Sequence, residues 1–198
     1  MKLNIIESDP ELPKDWTSGP NWNPQHPLWC PAQHIPDVLK QHGMSENLVG
    51  LEIGVDRGAT SEYLIKSIPN LQLIGIDPYV DYQDWWGWVA WSQQAYDEMK
   101  SRLDPYGEQF RLIRKTSDDA AADIPDESLD FVFIDGIHTY EQVTLDAKNY
   151  YSKVKPGGFF GGHDFTSVEG VGKAASEFAA SVGKEIRNCN QDVWYWWK

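Results

Sequence analysis

The fold is decided by the stretch Val49-Gly50-Leu51-Glu52-Ile53-Gly54-Val55-Asp56-Arg57-Gly58, which joins an apolar strand pattern to a glycine turn. The strand is predicted over residues 47–54, and a helical pattern follows over residues 59–68. Gly54 and Gly58 lack a Cβ, so the backbone can turn sharply there and approach a ligand closely. The stretch therefore predicts a strand–turn–helix unit.

The same alternation of strand and helix patterns continues to the end of the chain. Strands are predicted over residues 71–77, 110–113, 129–135 and 158–161 and in two C-terminal segments that include residues 193–197, and helices over residues 35–43, 92–103, 117–123, 140–154 and 171–182. Such alternation requires right-handed crossovers and helices on both faces of a mainly parallel sheet. We expect a doubly wound, Rossmann-like α/β fold with a seven-stranded, mainly parallel sheet.

The length and composition indicate one globular domain. The chain has 198 residues, of which 41% are hydrophobic and 24% charged, values typical of soluble globular proteins. Residues 1–34 are rich in Pro, Trp and Asn without a sustained period, so they are predicted to form an irregular N-terminal arm. Residues 35–198 are predicted to form the domain.

Charge and targeting signals exclude several classes of partner. Lys and Arg number 17 against 30 Asp and Glu, a net charge of −13 that opposes binding to nucleic acid. The first apolar run is too short for a signal peptide core or a membrane span. Cys30 and Cys189 lack the paired spacing of a zinc or redox motif. We therefore expect a cytoplasmic protein that binds neither nucleic acid nor membrane.

Four residues follow the carboxyl ends of predicted strands: Gly54, Asp77, Asp135 and Asp164. In a doubly wound fold, ligands bind in the crevice beyond the carboxyl ends of the strands. We therefore expect these four residues to lie along one edge of the sheet and to form a ligand site.

The residues around the glycine turn suggest the chemistry of that ligand. Thr60 and Ser61 begin the helix, whose N-terminal amides attract a carboxylate, while Glu52 can face a positive group. Asp77 lies about 20 residues beyond the turn, where an acidic side chain can accept hydrogen bonds from ribose hydroxyls. Because the glycine spacing departs from G-x-G-x-x-G, a nicotinamide or flavin dinucleotide is disfavoured. A nucleoside joined to an amino acid fits better, although each residue taken singly could serve only as a turn or a helix cap.

The stretch of residues 49–58, together with Ile74-Gly75-Ile76-Asp77, resembles the first two motifs of class I S-adenosylmethionine-dependent methyltransferases. The likeness spans about residues 47–198. It implies S-adenosylmethionine as the cofactor. The resemblance places Glu52, Gly54 and Gly58 at the methionine part, Asp77 at the ribose, and Ser117 or Asp118 at the edge of the adenine.

Residues 129–140 and 154–165 are similar to a subfamily of small-molecule O-methyltransferases that includes antibiotic and sugar tailoring enzymes. The resemblance implies an acceptor hydroxyl held beside the sulfonium, so the protein must mainly position and deprotonate it. His138, three residues after Asp135, is expected to titrate near neutrality at the mouth of the site. We predict that His138 is the general base, with Asp135 beside it; the alternative is an ordinary histidine at a helix N-terminus.

A divalent metal is a further hypothesis. The resemblance makes the strands that end at Asp135 and Asp164 adjacent, and paired carboxylates suit a hard ion such as Mg²⁺. His163 would be a third ligand. Related metal-using enzymes tend to have an acidic residue there, so the alternative is that Asp135 and Asp164 simply bind cofactor and substrate.

The acceptor itself is left open by the sequence, and sugars, polyketides and phenols all remain candidates. Aromatic residues in the segment 79–91 could form a wall over an acceptor, or could pack against the arm or a second subunit of a homo-oligomer. They are Tyr79, Tyr82, Trp85, Trp86, Trp88 and Trp91. A non-catalytic protein that binds a nucleoside or serves in assembly would keep the fold without needing His138, and a nicotinamide-dependent reductase is a third hypothesis.

Overall fold

The computed structural model describes residues 32, 34–81, 92–189 and 192–198. The strands are β1 (Val49–Ile53), β2 (Gln72–Ile76), β3 (Phe110–Ile113), β4 (Leu129–Ile134), β5 (Val154–Gly162), β6 (Arg187–Cys189) and β7 (Val193–Trp197). The helices are α1 (Ile35–Gln41), α2 (Ala59–Ser67), α3 (Ser92–Leu103), α4 (Ser117–Ala120), α5 (Tyr140–Tyr150) and α6 (Glu169–Ser181). Short 3-10 helices follow α3, α4 and α5.

The seven strands form one sheet in the order β3-β2-β1-β4-β5-β7-β6. The first five strands in this order are parallel, whereas β7 runs antiparallel to both of its neighbours. The chain moves outward from β1 to β3 and then crosses to the other side of β1 at β4. The predicted doubly wound, mainly parallel sheet is confirmed, and its topological switch point lies between β1 and β4.

Helices cover both faces of the sheet, as predicted. Side chains of α1, α2 and α3 pack in one apolar layer with Phe131 and Phe133 of β4. Side chains of α4, α5 and α6 pack in a second layer with Val132 and Ile134 of the same strand. Because successive strand residues point to opposite faces, a central strand between two helical layers must be apolar at almost every position. This explains the continuous apolar run of β4.

Two predicted boundaries are wrong around the start of β5. The predicted helix over residues 140–154 ends at Tyr150, and Val154 already pairs with Leu129 in the sheet. Strand β5 therefore begins at Val154, before the strand that was predicted over residues 158–161. Pro156 and Gly157 favoured a loop, but a register shift between Leu129 and Phe131 of β4 accommodates them within the strand.

Some sequence predictions fall outside the described residues. These are the aromatic segment beyond residue 81 and most of the N-terminal arm, from which only Ala32 and His34 are described, both buried. Within the described part of the chain, no helix combines the length and apolar character needed to cross a bilayer.

Candidate functional site

Gly54, Asp77, Asp135 and Asp164 lie together along the carboxyl edge of the sheet. Gly54 directly follows β1, Asp77 directly follows β2, and Asp135 directly follows β4, while Asp164 lies two residues beyond β5. Since β1, β2, β4 and β5 are parallel, their carboxyl ends share one edge around the switch point. The arrangement matches the edge predicted from the strand ends.

Gly54 brings the turn after β1 into contact with the end of β4. Its φ is +87°, and a Cβ at this position would lie 2.1 Å from the carbonyl oxygen of Asp135. Glycine is therefore required by a close approach of two protein backbones. The glycine turn and Asp135 are consequently in direct contact.

Gly58 shapes the N-terminus of α2. It has a left-handed backbone, with φ +75°, and offers no side chain to cap the helix. A Cβ would lie 2.9 Å from Leu103 Cδ1. Because glycine has no side chain to cap the helix, the N-terminus of α2, which begins at Ala59, is suited to an anionic group.

Glu52 lies beneath the turn. Its side chain is buried, with 1% of the residue exposed, and it accepts a hydrogen bond from the Ser61 hydroxyl. Burial raises the pKa of Glu52 well above its ordinary value, an effect that the Ser61 hydroxyl only partly offsets. Glu52 therefore fixes Ser61 at the start of α2, and its contact with a positive group of a ligand stays a prediction.

Asp77 ties the end of β2 to the glycine turn. Its Oδ2 accepts from the backbone N–H groups of Val55 at 3.1 Å and Asp56 at 3.0 Å, and its Oδ1 accepts from that of Tyr79 at 2.8 Å. Burial raises the pKa of Asp77, and these amides lower it in part. Because a carboxylate has about four acceptor positions, Oδ1 keeps capacity for a ribose hydroxyl.

Two histidines and two carboxylates meet where β4 and β5 end; we call them the carboxylate–histidine cluster. His138 Nε2 lies 2.9 Å from Asp164 Oδ2 and 3.6 Å from Asp135 Oδ1. His163 Nδ1 lies 3.3 Å and 3.7 Å from the same two oxygens. Asp135, His163 and Asp164 each offer a ligand atom, and these atoms all lie within 4.8 Å of one another. The structure thus brings together all four residues that the sequence placed in the catalytic and metal groups.

The carboxylates control the charge of the histidines. Burial lowers the pKa of His138, but Asp135 and Asp164 outweigh it and raise that pKa to about 10. For His163, the same competition gives a pKa of about 9. Burial tends to raise the pKa of Asp164, yet the histidines hold it far below its ordinary value. The two carboxylates therefore favour the protonated form of His138, and its pKa lies above the near-neutral value expected from the sequence.

Ser117 and Asp118 begin α4 and are bonded to α5. Gln142 Nε2 on α5 donates to Ser117 Oγ at 3.2 Å and to Asp118 Oδ1 at 3.4 Å. Thr116 caps the helix by accepting from the Asp119 amide. Because α4 follows β3, it lies at the same edge of the sheet as the glycine turn, where an adenine could reach it. The contact of Ser117 or Asp118 with the adenine stays a prediction.

Asp146 is a buried carboxylate beneath α4 that sequence reasoning missed. It is 1% exposed, and its Oδ1 accepts from Gln142 Nε2 at 3.1 Å. Its Oδ2 has no hydrogen-bond partner among the described residues. Burial raises the pKa of Asp146 to about 6. Nothing in the sequence distinguishes this aspartate from the exposed ones on other helices.

Replacing Asp146 with Asn is expected to raise the free energy of unfolding at pH 8 by about 2 kcal/mol. The folded state binds this proton more tightly than the unfolded state, so the wild-type carboxyl costs stability as pH rises from about 4 through 6. The variant should lose that dependence. Urea unfolding at pH 5 and pH 8 measures it. Asp97→Asn is the matched control because Asp97 is exposed on α3 and accepts from Gln93 in the same i, i+4 arrangement; equal effects of both substitutions would contradict the prediction.

Asp192 is a second residue that the sequence analysis missed. It immediately precedes β7, and its Oδ2 is 3.7 Å from His163 Nε2. Because β7 is antiparallel to β5 and Gly162 pairs with Trp194, the beginning of β7 lies at the carboxyl edge of the sheet. The position of Asp192 beside the cluster could be predicted only by knowing that β7 pairs antiparallel with β5.

Solved structures of methyltransferases share this fold. The chain matches the O-methyltransferase NovP with a TM-score of 0.62 and 18% identity, over 84% of this chain and 77% of that one. It matches a Methanococcus maripaludis protein, described as a candidate S-adenosyl-L-methionine-dependent methyltransferase, with a TM-score of 0.59 and 12% identity over 83% of each chain. At such identities, the likeness shows the fold alone.

Sequence comparison finds a relative and a family. The uncharacterized protein R132 of Acanthamoeba polyphaga mimivirus is 27% identical over 130 residues, 64% of this chain, and the chain spans about half (55%) of that protein's length. A family model described as a methyltransferase domain matches residues 51–165, which is more than half of the chain and includes the glycine turn and the carboxylate–histidine cluster. The chain therefore belongs to this methyltransferase-domain family and has the fold of the class I S-adenosylmethionine-dependent methyltransferases.

Proposed function

We propose that the chain is an S-adenosylmethionine-dependent O-methyltransferase that modifies a hydroxyl group of a small molecule. One observation carries the proposal: Gly54 packs directly on the backbone of Asp135, so the glycine turn adjoins the carboxylate–histidine cluster. A cofactor held by the turn would lie next to groups able to bind and deprotonate an acceptor. The similarity of residues 129–140 and 154–165 to small-molecule O-methyltransferases supports a hydroxyl as the acceptor.

The residues of the glycine turn have distinct roles in this proposal. The first amides of α2 bind the cofactor carboxylate, as helix N-termini bind anions. Asp77 accepts a hydrogen bond from the ribose through Oδ1, and Glu52 supports the turn from below through Ser61. Ser117 or Asp118 contacts the adenine edge.

The cluster performs the acceptor half of the reaction. When bound, the cofactor supplies a methyl group on a sulfonium, which is already activated for transfer. The chain must then hold the acceptor oxygen in line and remove its proton. His138 takes that proton on Nδ1, because Nε2 is buried and faces Asp135 and Asp164, which orient the imidazole. His138 can do so only after losing the proton that the two carboxylates favour.

A divalent cation fits the same cluster. Two ligands of one cation, each about 2.0–2.6 Å from it, lie no more than about 5 Å apart. The candidate ligand atoms satisfy this limit, since they all lie within 4.8 Å of one another. Asp135, His163 and Asp164 would hold the cation. Its charge would oppose the effect of the carboxylates and lower the pKa of His138 toward its ordinary value.

Exhaustive chelation is therefore expected to lower methyl transfer at least about tenfold, with recovery when a divalent cation is added back. The physical reason is that, without a cation, Asp135 and Asp164 favour the protonated form of His138, which cannot accept a proton. Initial rates before and after dialysis against chelator measure the effect. Undiminished activity in chelator would remove the metal from the proposal and leave Asp135 and Asp164 as cofactor- and substrate-binding residues.

The experiment that tests the proposed reaction is a mass-spectrometric screen. The chain and S-adenosylmethionine are incubated with panels of sugars, polyketides and phenols, alongside amines and thiols as competing acceptors. We expect a product heavier by one methylene at a hydroxyl group, formed only when the cofactor is present. Methylation confined to amines or thiols would overturn the hydroxyl assignment. The cytoplasmic location and the homo-oligomer expected from the sequence stay predictions.

A further inference from the structure

His163 is held in one orientation from several sides. Its Nδ1 faces Asp164 and Asp135 at 3.3 Å and 3.7 Å, and its Nε2 faces Asp192 Oδ2 at 3.7 Å. Its backbone N–H donates to Ile134 O, and its carbonyl accepts from Trp194 Nε1, both at 3.0 Å. With only 16% of its side chain exposed, the ring has little freedom to turn away from the carboxylates.

Asp192 is itself fixed. Its Oδ1 accepts from the backbone N–H groups of Thr166 at 2.9 Å and Ser167 at 3.1 Å. The single Ser167 hydroxyl proton is shared between Asp192 Oδ2 at 2.9 Å and Asp164 Oδ1 at 2.8 Å. The backbone carbonyl of Asp192 accepts from the Phe165 amide at 3.0 Å. The loop after β5 therefore holds the Asp192 carboxylate against the outer edge of the His163 ring.

These groups follow the order of a carboxylate–histidine–metal triad, with Asp192 at ion-pair distance, 3.7 Å from Nε2, and not within hydrogen-bond distance. A metal-binding histidine usually directs its second ring N–H to a carboxylate, which fixes the tautomer and makes the other nitrogen a better ligand. Asp192 would attract the proton of His163 to Nε2. The lone pair of Nδ1 would then point toward Asp135 and Asp164, the two carboxylates of the candidate cation site.

We infer that the cluster selects a first-row transition cation such as Mn²⁺ over Mg²⁺, and that Asp192 sets this selectivity by positioning His163. Mg²⁺ prefers oxygen ligands and keeps its waters. Imidazole nitrogen favours transition cations, so one histidine among two carboxylates shifts the balance. The inference rests on the proposed function only in assigning a cation to this cluster.

The test is cation binding, measured without turnover. Mn²⁺ and Mg²⁺ are titrated separately into the metal-free full chain by calorimetry, with free Mn²⁺ also followed by electron paramagnetic resonance. We expect Mn²⁺ to bind at least about tenfold more tightly than Mg²⁺. His163→Asp, which makes every ligand an oxygen, should reduce that ratio about tenfold.

Asp192→Asn separates positioning from a structural role. It should lower Mn²⁺ affinity about 10- to 100-fold in the wild-type background and leave it unchanged in the His163→Asp background, where no imidazole needs orienting. A loss of similar size in both backgrounds would show that Asp192 only supports the loop after β5, and would overturn its positioning role. Equal affinity for the two cations, or a Mn²⁺ preference that survives His163→Asp, would overturn the selectivity. Absence of all cation binding would overturn the inference while leaving cofactor binding, measured separately, as the test of the proposed function.

Discussion

Replacing His138 with Ala is expected to lower kcat for methyl transfer by about 100- to 10 000-fold, the usual contribution of a general base. The imidazole lies at the opening of the cluster, with 40% of its side chain exposed, and its charged neighbours are Asp164 and Asp135. None of these contacts involves the glycine turn or Asp77. Affinity for S-adenosylhomocysteine should therefore stay within about twofold of the wild-type value.

The measurement pairs turnover of an acceptor found by the screen with calorimetric titration of S-adenosylhomocysteine. His42→Ala is the matched control, because His42 stacks on Trp197 at 3.7 Å at the C-terminal end of α1 and has no place in the proposed reaction. Near-normal turnover of the His138 variant would remove the base role. A variant that loses turnover and cofactor binding together would indicate a collapsed site.

Replacing Asp77 with Asn is expected to weaken binding of S-adenosylhomocysteine about 100-fold. Hydrogen bonds to a charged group contribute about 1.5–3 kcal/mol each, and the neutral amide lacks that charge. The amide would also direct N–H donors toward backbone N–H groups that the Asp77 carboxylate now satisfies. The turn between β1 and α2 should therefore lose its shape as well as its ribose contact.

Calorimetric titration measures this loss, and thermal unfolding of the same variant shows how much of it comes from a destabilised turn. Asp97→Asn removes the same charge from an exposed position on α3 and should leave the affinity unchanged. Binding by the Asp77 variant within about twofold of wild type would contradict a ribose-binding role.

The fold was predictable because local and tertiary preferences agree in most elements. Strand β4 is apolar at nearly every position since helices cover it on both faces, and the pattern alone identified it. Around Pro156 and Gly157, by contrast, local turn preference indicated a loop. Pairing with β4 overrides that preference and starts β5 at Val154.

The candidate site was predictable where strand order sufficed. Asp77, Asp135 and Asp164 follow parallel strands. Their position at one edge of the sheet could therefore be predicted without knowing any distance between them. Two features depended on the three-dimensional arrangement instead. Asp192 reaches the cluster only because β7 runs antiparallel beside β5. The raised pKa of His138 follows from the proximity of Asp135 and Asp164 to its Nε2, which no sequence pattern reveals.

We propose that the glycine turn and Asp77 form a site for S-adenosylmethionine and exclude a dinucleotide. The most direct measurement is calorimetric titration of the full chain with S-adenosylhomocysteine and, separately, with NADH. We expect saturable binding of one S-adenosylhomocysteine per chain and no detectable binding of NADH. Saturable binding of NADH without binding of S-adenosylhomocysteine would contradict it.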